Sequence, residues 1–457
     1  MPTDDHGWTA STDVVVTLAF AADAGQQMLE SSPSVSEVIG RLRAFMAAVG
    51  LPECEVDATL SSVTLSYWTP GMSAPVTVMR TVRVASPRLG RLSGTVDLLD
   101  RVEQRDVEVA AAVHDLKRLK KAPGPRQRYY LLAVLASVMG WVVYLNGFSA
   151  TTVLVALLAT LLTAPIIPMV ERLGLPEVFG TALVAVVIAA VPNLAAANGM
   201  SIVVGPAVVG ALYVYLPGVA VVSSVIDGLN NAPLSAVARG ISALVTAGAL
   251  ALGMLAGNTI GAGLGLVYSP IDATSVPLPV SVIGAVVGMA GLAIAYGTPR
   301  RALAPTLLMG SAGWIAIALL TQRGSASGWV VYVLAASVVG FIGVVAAAVQ
   351  RSTTSVYLGV AILPLVPGFT LYRAMLALAQ GEPGALSILG SVAIISMSLA
   401  AGVAVGVAVG GNLIRGRRIL ARYIPPPPIP ARRPRRPRPA TPTTPATPRE
   451  GRPGPPS

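Results

Sequence analysis

Two apolar stretches of this chain carry the same break: IVVGPAVVGALYVYLPGVAVVS at residues 202–223 and SVYLGVAILPLVPGFTLYRAM at residues 355–375. The LPG triplet at 216–218 recurs as VPG at 366–368, 150 positions later. Proline removes a backbone donor and glycine adds backbone freedom, so each triplet interrupts a helix and frees backbone polar groups. A single Pro-Gly pair often only kinks a packed helix. The same break at a fixed interval predicts two related halves.

The apolar content around the breaks predicts an integral membrane protein. Of the 457 residues, 54% are hydrophobic and 12% are charged, whereas roughly a quarter of the residues in soluble domains are charged. The mean hydropathy is +0.70. About 20 consecutive apolar residues span the hydrocarbon core of a bilayer. The predicted spans are 129–147, 150–168, 178–197, 202–223, 238–258, 278–297, 302–320, 328–349, 355–375 and 386–412.

The interval of 150 residues also maps the first span onto the sixth, so the spans divide into two five-helix repeats at 129–258 and 278–412. Because five is odd, the two repeats would lie in the bilayer with opposite orientations. Inverted repeats with interrupted helices in equivalent places are typical of secondary transporters. The predicted fold class is mostly α, with about ten transmembrane helices in two inverted repeats, preceded by a small α+β domain.

The α+β domain is predicted at residues 11–122, after a flexible N-terminus at 1–10. Residues 1–122 hold 15 acidic and 12 basic side chains, an ordinary balance for a soluble domain. Hydrophobic periodicity predicts two helices, three strands and two further helices in this region. Their predicted bounds are 14–29, 35–49, 54–59, 62–68, 75–84, 92–104 and 107–119.

The distribution of basic residues predicts the orientation. Arg and Lys concentrate in alternate short loops, which places both termini and the α+β domain in the cytoplasm. The 3 Lys against 29 Arg, with abundant Ala, Gly, Val and Pro, suggest a bacterial genome of high GC content, so the membrane is expected to be a bacterial plasma membrane. The N-terminus lacks a basic segment followed by an apolar run, so the first span is expected to act as its own insertion signal. The Pro- and Arg-rich tail at 425–457 is predicted to be disordered. It is expected to lie near anionic lipids and not to bind nucleic acid.

Three side chains near the breaks are candidates for the substrate or ion pathway, together with the breaks themselves. Asp227 lies at the inner end of the fourth span, where it either marks an ion path or caps the next turn. Arg373 either binds a substrate carboxylate with its two-pronged guanidinium or extends to the outer interface. Tyr372 either hydrogen-bonds substrate or belongs to an aromatic belt. The full set of candidates is Pro217, Gly218, Asp227, Pro367, Gly368, Tyr372 and Arg373.

Other residues in the spans favour helix packing. Gly253 and Gly257 have the small-xxx-small spacing of closely packed helices. The amides Asn193, Asn198 and Asn258 are interpreted as forming hydrogen bonds between helices, with substrate contact as the alternative.

With these residues placed, the chain resembles the threonine/serine exporter (ThrE) family over nearly its whole folded length. In the N-terminal domain the segments that resemble the family are 49–51, the strand pair, 82–84 and 89–98. In the membrane region they are the first break with Asp227, and the second break with the Tyr and Arg at 372–373. Ser31-Ser32 stands where a Gly-Ala pair is expected, and the acid expected nearby is present as Glu37. The resemblance implies efflux of threonine and serine, driven by protons as the coupling ion.

The sequence offers little for other classes. One cysteine, Cys54, excludes an internal disulfide and a cysteine metal site, and two isolated histidines argue against any metal site. No cofactor is expected. Two alternatives to a transporter stay open: a membrane-anchored hydrolase using His114 and Asp115 in the N-terminal domain, and a channel or sensor. Self-association into a homo-oligomer is also open. An enzyme is not expected, because ten spans exceed what an anchor needs.

Overall fold

The computed structural model of the chain describes residues 12–31, 34–68, 73–82, 88–122, 127–229, 232–263, 276–322, 328–379 and 381–423. The predictions for residues 1–10, Ser32 and the tail at 425–457 lie outside the described residues. The chain divides into two compact units, Met1–Ile414 and Arg415–Ser457. In the second unit, the described residues form the end of the last helix.

The N-terminal domain is a three-stranded antiparallel sheet, in the order β1-β2-β3, with four helices. The elements are α1 (Thr12–Glu30), α2 (Val35–Ala48), β1 (Glu55–Ala58), β2 (Ser62–Tyr67), β3 (Val76–Thr81), α3 (Leu89–Glu103) and α4 (Val109–Lys121). Val56 pairs with Leu65 in the sheet, and both side chains are buried. Phe20 of α1 packs on Phe45 of α2, with ring centroids 5.7 Å apart. All seven predicted elements are confirmed, with their bounds shifted by a few residues.

The rest of the described chain is helical. Its helices are α5 (Gln127–Asn146), α6 (Ala150–Thr163), α7 (Ile166–Arg172), α8 (Glu177–Ala197), α9 (Val204–Leu212), α10 (Gly218–Leu229), α11 (Pro233–Gly263), α12 (Leu278–Ala295), α13 (Arg300–Gln322), α14 (Gly328–Gln350), α15 (Ser355–Ala361), α16 (Gly368–Ala379) and α17 (Ala385–Tyr423). Eight segments of the described chain are long and apolar enough to cross a membrane, α6 and α7 counting as one. Two shorter apolar helices, Val204–Tyr215 and Ser355–Leu365, precede the breaks. The chain is therefore a multi-pass membrane protein.

Element bounds repeat at the predicted interval. The 3-10 turns at Tyr213–Tyr215 and Leu363–Leu365 differ by 150 in both limits, as do α10 and α16. The predicted second span, at 150–168, is divided, because Pro165 separates α6 from α7. Its counterpart α13 is continuous.

Helices α5 and α12, which occupy equivalent places, pack against each other along glycines. A Cβ atom on Gly140 would lie 2.1 Å from the backbone nitrogen of Gly288. On Gly284 it would lie 2.4 Å from the nitrogen of Tyr144. Gly140 contacts Gly288, and Tyr144, one turn later, contacts Gly284, one turn earlier, so the two helices are antiparallel. Any side chain larger than hydrogen would push them apart.

Small residues also join two parallel helix pairs. Cβ atoms on Gly253 and Gly257 of α11 would lie 2.3 and 2.7 Å from carbonyl oxygens of α8. Cβ atoms added to Gly402 and Gly406 of α17 would likewise lie 2.3 and 2.1 Å from carbonyl oxygens of α14. The close packing predicted for Gly253 and Gly257 is confirmed, and α14–α17 repeats it.

The N-terminal domain docks on the connection between α12 and α13. The backbone N–H of Leu89 donates to the carbonyl of Tyr296 at 2.9 Å. A Cβ on Gly90 would lie 2.4 Å from the carbonyl oxygen of Gly297, so only glycine permits this approach. Arg301 at the start of α13 donates to the Ser93 hydroxyl at 3.0 Å and pairs with Asp97 of α3.

Candidate functional site

The two Pro-Gly breaks have the same local geometry. The residue before each proline is extended, with φ −66° and ψ 132° at Leu216 and φ −65° and ψ 132° at Val366. A proline ring clashes with helical backbone at the preceding residue, which forces this extended conformation. Each broken helix therefore consists of a short helix, a 3-10 turn, an extended residue, the proline, and a second helix that starts at the glycine.

The breaks come together around one cavity of about 100 Å³. The second break packs directly on the first, since a Cβ on Gly368 would lie 3.3 Å from Leu216 and 3.7 Å from the ring of Tyr213. Helices α11 and α17 complete the wall. The lining residues are Leu216, Pro217, Val221, Ala247, Ile362, Val366, Pro367, Gly368, Leu371, Val392, Ser396, Leu399 and Ala400.

A group of aromatic side chains, buried except for the half-buried Trp314, packs around the breaks. Trp141 of α5 stacks on Tyr213 with centroids 4.3 Å apart, and Trp314 of α13 meets Tyr144 at 4.8 Å. The Tyr144 hydroxyl donates to the carbonyl oxygen of Pro364 at 2.9 Å. That carbonyl lies in the second 3-10 turn, so a side chain from the first half satisfies a backbone group at the break of the second half.

The predicted site residues fall into three groups by position: those at the cavity, those on α16 outside it, and Asp227. Pro217, Pro367 and Gly368 line the cavity, and Gly218 begins α10 directly after Pro217. Tyr372 is 2% exposed and lies in the same apolar cluster as Trp141 and Tyr213. Neither Tyr372 nor Arg373 is among the described residues that line the cavity, and Arg373 is exposed.

Asp227 lies away from the cavity, where α10 meets the N-terminal domain. Its carboxylate is fully buried and lies 3.6 Å from the guanidinium of Arg239 on α11, which is also buried. The opposite carboxylate oxygen accepts from the backbone N–H of Ser36 at 3.1 Å and from its hydroxyl at 3.3 Å. Asp227 therefore stabilises the N-terminus of α2, where backbone N–H groups favour negative charge.

Glu37, the next residue of α2, contacts the second half of the membrane region. Its carboxylate accepts from the backbone N–H of Thr354 at 2.6 Å and from the hydroxyl of Ser355, at the start of α15. Burial raises the pKa of Glu37 above its ordinary value, and these hydrogen bonds oppose the rise. Adjacent residues of one helix thus hold the end of α10 and the beginning of α15.

The three amides singled out in the sequence differ in their partners. Asn193 of α8 donates to the side-chain oxygen of Asn258 on α11 at 3.2 Å, which confirms the predicted hydrogen bond between helices. Asn198 instead donates to the carbonyl of Leu194 in its own helix at 2.7 Å, so for this residue the prediction is wrong. In the N-terminal domain, His114 is exposed, and the Asp115 carboxylate lies 4.0 Å from Arg101.

Sequence reasoning missed Ser36, Tyr144 and Ser396 as site residues. Their signals are weak, because serines and tyrosines are common in membrane helices and on domain surfaces. The described part of the cavity wall is apolar apart from the side-chain hydroxyl of Ser396, a composition suited to binding part of a small molecule.

Comparisons with known proteins identify the family of the chain. Two family models, both described as threonine/serine exporters, match the chain: ThrE over residues 19–261 and ThrE_2 over residues 281–409. A Mycobacterium tuberculosis protein named "Probable threonine/serine exporter" is 28% identical over 421 residues, covering 88% of this chain and 77% of that protein. The "Threonine/serine exporter" of Corynebacterium glutamicum is 25% identical over 432 residues, covering 91% and 86%. No solved structure matches the chain. The ThrE match alone spans more than half of the sequence, and the chain therefore belongs to the threonine/serine exporter (ThrE) family.

Proposed function

We propose that this chain is a secondary transporter that exports threonine and serine from the cell. The observation that carries the proposal is the cavity shared by two Pro-Gly breaks that lie 150 residues apart. Interrupted helices in equivalent places are a common site of substrate binding in secondary transporters. The names of the two relatives support threonine and serine as the substrates.

We propose that the membrane region consists of two inverted five-helix repeats. Two observations support the inversion: α5 and α12 are equivalent yet antiparallel, and the end of α10 and the start of α15 contact adjacent residues of α2. Because the end of the first broken helix and the start of the second both contact α2, this observation supports opposite directions for the two broken helices. Counting each broken helix as one crossing brings the eight long segments to ten.

The proposal also places both termini in the cytoplasm and the helices in the plasma membrane of a bacterial cell. The N-terminal domain contacts the end of α10, the α12–α13 connection and the start of α15. In a ten-span chain these three places lie on one side of the membrane, the side with the basic loops. The Arg-rich tail would then face anionic lipids of the inner leaflet.

We further propose that protons drive export and that Asp227 takes part in the coupling. Support for its role is the burial of an ionisable group at the end of a broken helix. Tyr372 and Arg373 follow Gly368 on α16 within about one and a half turns, and we place them on the substrate pathway that leads to the cavity.

The test is counterflow of labelled threonine in proteoliposomes that contain the full chain, with and without an imposed pH gradient. We expect saturable uptake that exchanges with unlabelled serine and responds to the gradient. Equilibration without accumulation against a gradient would indicate a channel. Failure of folded protein to take up either amino acid would overturn the substrate assignment.

A further inference from the structure

Among the described residues that line the cavity between the breaks, one has a polar side chain: Ser396 on α17. The other lining residues are Leu, Ile, Val, Ala, Pro and Gly. A hydroxyl in an apolar wall gives a bound molecule a side-chain partner for a directed hydrogen bond.

The Ser396 hydroxyl is available for such a bond. Hydroxyls within helices usually donate to a carbonyl one turn back. In the same helix, Ser391 donates to Ser387 at 3.1 Å and Ser398 donates to Ile394 at 2.7 Å. Within the described part of the chain, the Ser396 hydroxyl makes no hydrogen bond.

The repeat has an apolar residue at the equivalent place. Gly253 of α11 and Gly402 of α17 pack in the same way on the neighbouring helix. Ala247 and Ser396 each lie six residues before these glycines, and both line the cavity. Between these two helices the interval is 149 residues, one less than at the breaks, and the two cavity-lining positions differ by one hydroxyl.

The size of the cavity limits what it can hold. A cavity of roughly 150 Å³ takes benzene, with six heavy atoms, and this one measures about 100 Å³. It accommodates about four heavy atoms, the number in the side chain and Cα of threonine. The ammonium and carboxylate of the amino acid would lie outside the apolar walls.

We propose that the Ser396 hydroxyl hydrogen-bonds the side-chain hydroxyl of the substrate and makes the cavity select β-hydroxy amino acids over apolar ones of similar size. The inference rests on the proposed function, since it assigns a specificity residue to that site. An apolar pocket alone discriminates weakly against an isostere that differs by a hydroxyl. One neutral hydrogen bond changes affinity by roughly 3- to 10-fold.

The test is competition against labelled threonine counterflow by unlabelled threonine and by valine, which has a methyl group in place of the hydroxyl. We expect the wild-type protein to prefer threonine. Ser396→Ala is expected to reduce the threonine-to-valine preference about 3- to 10-fold, through weaker threonine inhibition and unchanged valine inhibition. Ser398→Ala, the matched control, is expected to keep the wild-type preference.

A second pair of variants separates the hydroxyl from the shape of the side chain. Ser396→Thr and Ser396→Val have the same shape, and only the first is expected to keep the preference. A wild-type preference in Ser396→Ala, or equal preferences in the Thr and Val variants, would overturn the role of Ser396 while leaving the transporter intact. Wild-type protein that transports neither threonine nor serine would instead overturn the proposed function, and this inference with it.

Discussion

At the scale of single residues, the buried ion pair of Asp227 and Arg239 is predicted to stabilise the folded protein. Removing one member of a buried ion pair typically costs about 3–5 kcal/mol, because the other charge stays buried. Asp227→Asn should therefore lower the thermal unfolding temperature in detergent. Arg239→Gln in the same chain should recover much of that loss, and a double-mutant cycle measures the coupling. Additive losses would show that the two side chains do not stabilise each other.

The double variant also separates folding from coupling. It is expected to reach the membrane and to bind threonine, and to lose the response of counterflow to a pH gradient. An undiminished response would remove Asp227 from the coupling mechanism, whatever its contribution to stability.

The sequence predicts best those residues that act on their own backbone. Proline and glycine act on their own backbone, so the two breaks were predictable in place and in conformation. Glu37 was identified only as an acid typical of the family, because its partners Thr354 and Ser355 lie more than 300 positions away. Ser396 gave no local signal, since its place in the cavity depends on how α17 packs against both breaks.

At the scale of elements, the close approach of α5 and α12 predicts an intolerance to added atoms. Gly140→Ala places a Cβ about 2 Å from the backbone of Gly288, and overpacking of this kind typically costs about 1–3 kcal/mol or more. The matched control is Gly248→Ala in α11, where the new Cβ would meet no described atom within 4 Å beyond the backbone of its own helix and helix propensity favours alanine by about 0.5–1 kcal/mol. Thermal unfolding in detergent should show a lower midpoint for the first variant and no decrease for the second. Equal midpoints would contradict the packing.

Whole helices and strands were easier to predict from the sequence than the places where a helix is interrupted. Period and turn residues located all four helices and three strands of the N-terminal domain, because each element has a buried face of regular spacing. In the membrane region nearly every residue is apolar, so periodicity carries less information there. That is why the division of the second span at Pro165 was not anticipated, although proline is its local cause.

At the scale of the whole molecule, the proposed orientation can be read from single cysteines. The native Cys54 is buried, and burial raises its pKa to about 11, so it is expected to be unreactive near neutral pH. Phe148 and Leu173 are 75% and 64% exposed, at opposite ends of the α6–α7 segment. In intact cells, an impermeant maleimide should label Phe148→Cys, and should label Leu173→Cys only after permeabilisation. The reverse pattern would invert the topology.

The neighbouring contacts of Ser36 and Glu37 have a mechanical consequence. Their Cα atoms are about 3.8 Å apart, so α2 links the end of α10 to the start of α15 at a nearly fixed distance. If one repeat rocks against the other and separates these helix ends by several ångströms, one contact must break or α2 must turn. Arg41 of α2 also pairs with Asp100 and Glu103 of α3, so a turn of α2 would carry α3 with it. A molecule that binds the N-terminal domain more tightly in one of these arrangements must shift the equilibrium between them by the difference in binding free energy.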